Sequence, residues 1–570
     1  MPHPFDQALD AARLAITAAP GPFRAGTLEA HGRLYPAFVE APADMPAFFA
    51  QCCALHGPRP CLVDGDERLS FAQVHDLARR VARGLATRHG VAPGDHVAIA
   101  ARNGAGWVVA YMGVLMAGGV ATLVNGFWTG GEMAAAIRDT GCTLVLADRQ
   151  RLKALEASPA PCGAPCLLLD LDLPVGRGMA PFMDDTAGPL PTPGPDAPAT
   201  LLFTSGSTGQ CKGALSDHRA KVQAAFHFAF ASVMVATVLT QQGRPPDPAQ
   251  ATLLNLPLFH VTGEVNVMLQ SFVLGRKMVV MRRWDAREAL RLIETERITY
   301  ITGVPLMGFE LATHPDRGAF DLSSLSALAA GGAPRPAEHV PRLAAGLPAA
   351  AQTFGYGLTE TNAIGTGIMG PAVVDLPITP GRATLPLVGI AIFGPDGTAL
   401  APGETGEIGI RSIANITGYW NRPRESAALF TADGYVLTGD LGHIDAEGYL
   451  HISGRAKDII IRGGENIAAQ DVEAALYALP EVQECAVFGV PDERLGEVPV
   501  ATVWLSEGSG LDAGTIAESL LARLAPYKRP SHIVIAPAML PRLGSEKIDK
   551  QAVRAAYLAG LCGQGGADSG

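Results

Sequence analysis

Apolar positions along this chain follow two alternating rhythms, short unbroken runs and longer stretches at helical spacing. That alternation predicts strands joined by helices. From Asp44, which suits an N-cap, the spacing of Met45, Phe48, Phe49 and Cys52 predicts the first ordered helix. Residues 68–74 read as a short strand running into a second helix, with Ser70 as its cap and Gln73 completing a capping box. A run over 97–100, an apolar helix over 107–116, a Gly118-Gly119 break and a run over 120–124 make a βαβ unit, hence a parallel sheet. Runs at 144–147 and 166–169 extend it, and runs at 253–256, 277–281 and 298–301 predict a second α/β layer.

Elsewhere the rhythm breaks. Residues 176–198 are rich in proline and glycine and read as a connector. From Leu387 short runs are separated by turns such as Pro395-Asp396-Gly397 and Ala432-Asp433-Gly434, which predict β-hairpins. Beyond about Gly454 helices return in a smaller unit that ends near Leu561. The first forty residues, rich in alanine and proline, read as draped over the surface. The expected class is α/β: a large N-terminal domain of stacked α/β sheet layers with a β-rich subdomain, plus a small α+β C-terminal domain.

Composition narrows the function classes. With 570 residues, 48% of them hydrophobic and 17% charged, the chain can bury a large core. Its net charge of −11 and its scattered basic residues argue against nucleic acid as a partner. Nine cysteines, odd in number and without zinc-ligand spacing, read as reduced cytosolic thiols and predict a cytoplasmic protein. Asp6 and Asp10 interrupt any secretory signal at the start of the chain. The longest apolar run, 224–239, contains His227 and falls short of a membrane span of ~20 residues. It reads as a buried helix, with peripheral membrane contact as the weaker alternative.

Candidate chemistry centres on Thr204-Ser205-Gly206-Ser207-Thr208-Gly209-Gln210-Cys211-Lys212-Gly213, just after the apolar run 201–203. Glycines free the backbone to turn its N–H groups toward one point, hydroxyls add donors, and Lys212 adds a point charge. A polyphosphate suits such a surface. The spacing differs from the Walker pattern, and on its own a Ser/Thr/Gly run is equally a flexible linker.

Six further motifs follow in order: Pro257-Leu258-Phe259-His260, Gly331-Gly332-Ala333-Pro334, Gly355-Tyr356-Gly357-Leu358-Thr359-Glu360, Thr438-Gly439-Asp440, Gly454-Arg455-Ala456-Lys457-Asp458, and Lys547 near the C-terminus. With the loop, this series resembles the adenylate-forming superfamily, and within it the acyl-CoA synthetase branch. The resemblance covers roughly residues 46–551.

It implies a reaction in two halves: ATP and a carboxylic acid give an acyl adenylate and pyrophosphate, and the thiol of coenzyme A then takes the acyl group. It implies Glu360, with Thr208, at a Mg²⁺ ion, and Thr359 at the α-phosphate. Tyr356, with Gly357 and Leu358 beside it, is implied to pack on adenine. Asp440 falls to the ribose, and Arg455 to ribose or phosphate. Gly331, Gly332 and Ala333 would lie close to adenine and acyl group, His260 would gate the acyl pocket, and Lys547 would reach the α-phosphate and carboxylate. Lys457 falls at the family's hinge, and Gly463-Gly464 on the side that later meets coenzyme A. The implied division is 1–42 as an N-terminal extension, 43–455 as the AMP-binding domain, 456–562 as a mobile C-terminal domain and 563–570 as a disordered tail.

Four departures stand out against the family pattern. Cys211 replaces a proline, Glu546 replaces the glycine before the catalytic lysine, and Ala469 and Asp471 replace a proline and a glutamate. Apolar segments 261–272 and 302–309 are expected to flank a pocket for a hydrophobic acid, fatty or aryl. The rival readings are a fatty-acyl-AMP ligase serving a carrier protein, a weakly catalytic binding protein of the same fold, and a luciferase-type oxygenase. A homodimer stays open.

Overall fold

A computed structural model of the chain describes residues 1–186, 188–204, 211–543 and 547–560. The predicted helix starts are built as the sequence asks. Asp44 accepts from Ala47 N at the head of Met45–His56, and Ser70 and Gln73 form the full capping box at the head of Phe71–Arg88.

The first sheet has seven strands among the described residues. His96–Ala100 sits centrally with Val120–Leu123 and Leu144–Ala147 parallel on either side, as the βαβ pattern requires. Pro198–Thr204 joins parallel to Val120–Leu123, Lys212–Asp217 folds back antiparallel on it, and the short Gly418–Tyr419 closes that edge. The second sheet has nine strands, with a parallel centre that includes Ala251–Leu254, Tyr300–Gly303, Ala327–Gly331 and Ala351–Gly357. Helix Ala105–Met116 touches strands of both sheets and is buried all round, which explains why its sequence lacks a polar face.

A four-stranded antiparallel sheet follows, formed by Gly389–Phe393, Gly406–Arg411, Val436–Ile444 and Leu450–Arg455. After it comes a five-stranded sheet over 459–535 with its own core, including Val472, Leu476, Val487, Val503 and Ile516.

Two expectations change. Residues 1–42 are folded rather than draped: Pro4–Ala18 is a helix, Ala25–Ala30 and Arg33–Phe38 form a hairpin, and Phe38 is fully buried among Phe23, Phe226 and Phe230. Alanine and proline content misleads here, because Phe5, Leu9, Ala12 and Ile16 recur at helical spacing and give this helix an apolar stripe to bury. The connector over 176–198 likewise carries a short helical turn, Ala180–Phe182, whose Phe182 is buried.

The apolar run over 224–239 lies in helix His218–Gln241, the one helix among the described residues long and apolar enough to cross a membrane. It is threaded through the core. Lys221, within this helix, is fully buried and meets Glu264 at 2.7 Å, and Tyr111 donates to the other Glu264 oxygen at 2.7 Å.

Candidate active site

The parallel strands of the second sheet end at glycines because backbone must pass close to backbone there. Gly331 pairs with Gly355, and a Cβ on Gly331 would stand 3.0 Å from the Gly355 carbonyl oxygen. A Cβ on Gly357 would stand 2.2 Å from the Ala363 oxygen. Beyond these strand ends opens a cavity of about 2170 Å³. That is more than a drug-sized ligand needs. It lies where open α/β sheets place ligands, outside the carboxyl ends of the strands.

The structure brings the separated motifs to this one cavity. Thr204 and Lys212 line it from the first sheet, and Gly331, Gly332, Ala333 and the stretch from Tyr356 to Glu360 line it from the second. Asp440, Arg455, His260 and Lys547 line it as well. Ser205, Gly206, Ser207, Thr208, Gly209 and Glu546 lie outside the described residues.

Asp440 and Arg455 are register partners on neighbouring strands, so fifteen residues of hairpin return the guanidinium to the carboxylate at 3.0 Å. Tyr356 donates its hydroxyl to the other Asp440 oxygen at 2.6 Å. Burial, and then the Asp440 charge, push the Tyr356 phenol well above its ordinary range, so it stays a donor.

Glu360, in the turn Thr359–Thr361, accepts a 2.7 Å hydrogen bond from the Tyr419 hydroxyl. The Lys212 ammonium stands 4.9 Å from the centre of the same ring. Tyr419 thus links Lys212, at the start of its strand, to the acidic turn. The sequence reading missed it, because a two-residue edge strand carries no period and a lone tyrosine no motif.

Lys547 extends over Gly332, where a Cβ would stand 3.5 Å from its Cε. Gly332 has a φ of +75°, so glycine serves both the turn and the approach. Burial and the nearby Arg455 lower the Lys547 ammonium to about 8, while Asp440 and Glu360 pull the other way. His260 is held neutral, with burial and Lys547 lowering it to about 3. It accepts from Thr262 N at 3.4 Å and stands at the cavity wall as an uncharged ring.

The side of the cavity expected to be apolar differs from expectation. Val261 lines it together with the polar Thr262, Asn266 and Gln270, and residues 302–309 do not line it. Val304 and Met307 are instead buried in the main core, where Asn255 donates to the Met307 sulfur at 3.3 Å. One face of helix His218–Gln241 takes their place, with His227, Ala231, Val235 and Leu239 at four-residue spacing. His227 bonds Thr384 Oγ1 at 2.9 Å, and Thr384 gives its proton to the Gly365 oxygen, so Nε2 of His227 is the donor. Burial lowers this ring to about 4.

Of the C-terminal residues, Gln470, Asp471 and Tyr477 reach the cavity from helix Ala469–Tyr477, so the departure at Asp471 faces it; Asp471 also binds Lys528 at 2.6 Å. Gly463 and Gly464 form the turn between Ile459–Arg462 and Glu465–Ala468 and do not line the cavity. The backbone of Lys457 sits in the turn Ala456–Asp458 that connects the four-stranded and five-stranded sheets.

Comparison with known proteins identifies the family. The AMP-binding enzyme family model matches residues 49–420, and the model of that enzyme's C-terminal domain matches 471–547. A feruloyl-CoA synthase of an Amycolatopsis species is 35% identical over 86% of this chain and 94% of its own. A long-chain-fatty-acid–CoA ligase of Mycobacterium tuberculosis is 32% identical over 87% of this chain and 94% of its own. The solved o-succinylbenzoate CoA synthetase of Bacillus subtilis, in complex with its acyl-adenylate intermediate, superposes with a TM-score of 0.75 at 27% identity, covering 90% of this chain and 99% of that one. The chain belongs to the AMP-binding enzyme family, the adenylate-forming superfamily, as an AMP-forming acyl-CoA synthetase.

Proposed function

We propose that this synthetase joins a hydrophobic carboxylic acid, fatty or aryl, to coenzyme A through an acyl adenylate. The observation that carries the reading is the position of Lys547. It enters one cavity with Lys212, Glu360, Asp440 and Arg455, and that cavity has an apolar stretch of wall at Ala231, Val235, Leu239 and Val261. The feruloyl and long-chain fatty acyl groups in the relatives' names fit that wall.

In the first half-reaction the acid's carboxylate attacks the α-phosphorus and pyrophosphate leaves. Negative charge then builds at phosphorus and on the leaving group. Lys547 and Lys212 meet it with fixed positive charge in a site screened from water, where such charge acts most strongly. Asp440, already oriented by Tyr356 and Arg455, keeps lone pairs free for the ribose hydroxyls. Neutral His260 lets an apolar tail pass without a desolvated charge beside it.

Glu360 fits a Mg²⁺ ion that arrives with ATP. It is a single carboxylate on the cavity wall, and among the described residues it belongs to no cluster of three ligating side chains. Glu360 would hold the ion together with the nucleotide's phosphate oxygens, with Thr208 as a further candidate ligand. When bound, the ion supplies charge neutralisation on the polyphosphate.

The second half-reaction needs the thiol to reach the adenylate. Rotation about Lys457 would withdraw Lys547 and bring Gly463-Gly464 toward the cavity. Pyrophosphate release from Mg·ATP, measured across a panel of fatty and aryl acids with and without coenzyme A, tests the whole reading. Turnover with one acid class, sustained by coenzyme A, is the expected result. A burst indifferent to coenzyme A would overturn the acceptor, and release with acetate alone would overturn the acid class.

A further inference from the structure

The family match begins at residue 49, yet a residue far ahead of it stands in the cavity wall. Phe5 is 92% buried (8% exposed) and lies on helix Pro4–Ala18. Among the cavity-lining residues it is the only one that precedes Leu123. The cavity wall also includes Val235 and Leu239 on the long helix and Met369, Gly370 and Pro371, which follow from a second-sheet strand. A Cβ on Gly370 would stand 2.9 Å from the Phe5 ring, and Gly370 has a φ of +60°. Phe5 and Ala12 pack with Val238 in a cluster of their own, flanked by Leu9, Ile16 and Met369.

The helix that carries Phe5 is tied down from outside. Tyr449 donates to Asp6 at 2.5 Å and accepts from His3 N at 2.9 Å. His3 pairs with Asp375 at 2.9 Å, and Asp10 with Arg382 at 3.0 Å. His3 also caps the helix by accepting from Phe5 N. Polar anchors fix the outer face while the aromatic ring is held at the cavity. A segment attached in this way is part of the wall rather than a trailing tail.

We infer that the N-terminal helix is part of the acid-binding site, and that Phe5 closes the cavity between the long helix and Met369–Pro371 and thereby sets the greatest length of apolar tail the enzyme accepts. The ligand is the aliphatic or aromatic tail of the acid. Phe5 is a specificity-determining residue that touches the tail's far end and takes no part in phosphoryl chemistry. The inference rests on the acid-ligase reading for the identity of the ligand, but not on turnover for its test.

The test is equilibrium binding of straight-chain acids from butanoate to hexadecanoate, by calorimetry, with a non-hydrolysable ATP analogue present. The full chain is compared as wild type, Phe5→Ala and Phe5→Trp. Each added methylene should tighten binding about fourfold until the tail meets Phe5, after which the gain stops. Phe5→Ala should move that limit outward by about three methylenes and Phe5→Trp should move it inward, with acids below the limit changed less than about twofold. The opposite directions keep the test decisive if Phe5→Ala is poorly folded. An unmoved limit in a folded variant, or equal loss for short and long acids, would overturn the inference. A wild type that binds these acids but releases no pyrophosphate would overturn the ligase reading, and the shift between variants would still decide the role of Phe5. A wild type that binds none of them would overturn both.

Discussion

At the scale of single residues, the site gathers Lys212, Glu360, Asp440, Arg455 and Lys547 around one cavity. Lys547 is the one that titrates near neutrality, because burial and Arg455 bring it down to about 8. Its charged form is the useful one, and that form is lost as pH rises through the folded value. The acid-dependent kcat/KM for ATP–pyrophosphate exchange should therefore fall above about pH 8, and Lys547→Arg should move that limb upward. Lys547→Ala should leave thermal unfolding nearly unchanged and cut exchange by about 10²–10³-fold. Undiminished exchange in that variant would remove Lys547 from the chemistry. Tyr419 acts through Glu360 and is a positioning residue. Tyr419→Phe should weaken the apparent affinity for Mg·ATP about tenfold with little change in the dependence on acid. Titrating Mg²⁺ at fixed ATP would read this directly.

At the scale of elements, the buried trio Lys221, Glu264 and Tyr111 joins three helical segments: the long helix, the π-helical stretch Thr262–Leu269 that follows His260, and Ala105–Met116. Burial pushes the Lys221 ammonium down, and Glu264 holds it up. Lys221→Met leaves a carboxylate uncompensated in the core and should cost about 3–5 kcal/mol of stability. Adding Glu264→Leu should recover much of that loss, which denaturant unfolding of the two variants would show.

Periodicity could reveal the elements but not this trio, since Lys221 and Glu264 are 43 positions apart and each looks like a surface charge. The same limit runs through the site. Glycine pairs, capping boxes and ordered motifs were legible because their chemistry is local. Tyr419 and Phe5 were not, because one depends on a two-residue edge strand and the other on where its helix docks, which the helix's own spacing does not state. The segment 302–309 was misplaced for the complementary reason: apolarity predicts burial without saying which side of a sheet is buried against.

At the scale of the whole molecule, the arrangement of the two units matters. Lys547 belongs to the chain after the five-stranded sheet, yet it lies over Gly332 of the nine-stranded one. Gly463 and Gly464, on the same C-terminal unit, do not line the cavity. On the reading proposed above, this arrangement would serve adenylation and leave the thiol side unused. The connection is the short turn Ala456–Asp458, where few backbone dihedrals would need to change. Proline is tolerated in the first turn of a helix, where its missing N–H is unpaired in any case, but it fixes φ and so resists rotation. Lys457→Pro should then keep ATP–pyrophosphate exchange within about twofold and lower thioester formation by about tenfold or more. Measuring both half-reactions on one preparation separates the outcomes: equal retention would move the hinge elsewhere, and equal loss would mean that the turn supports the present arrangement itself.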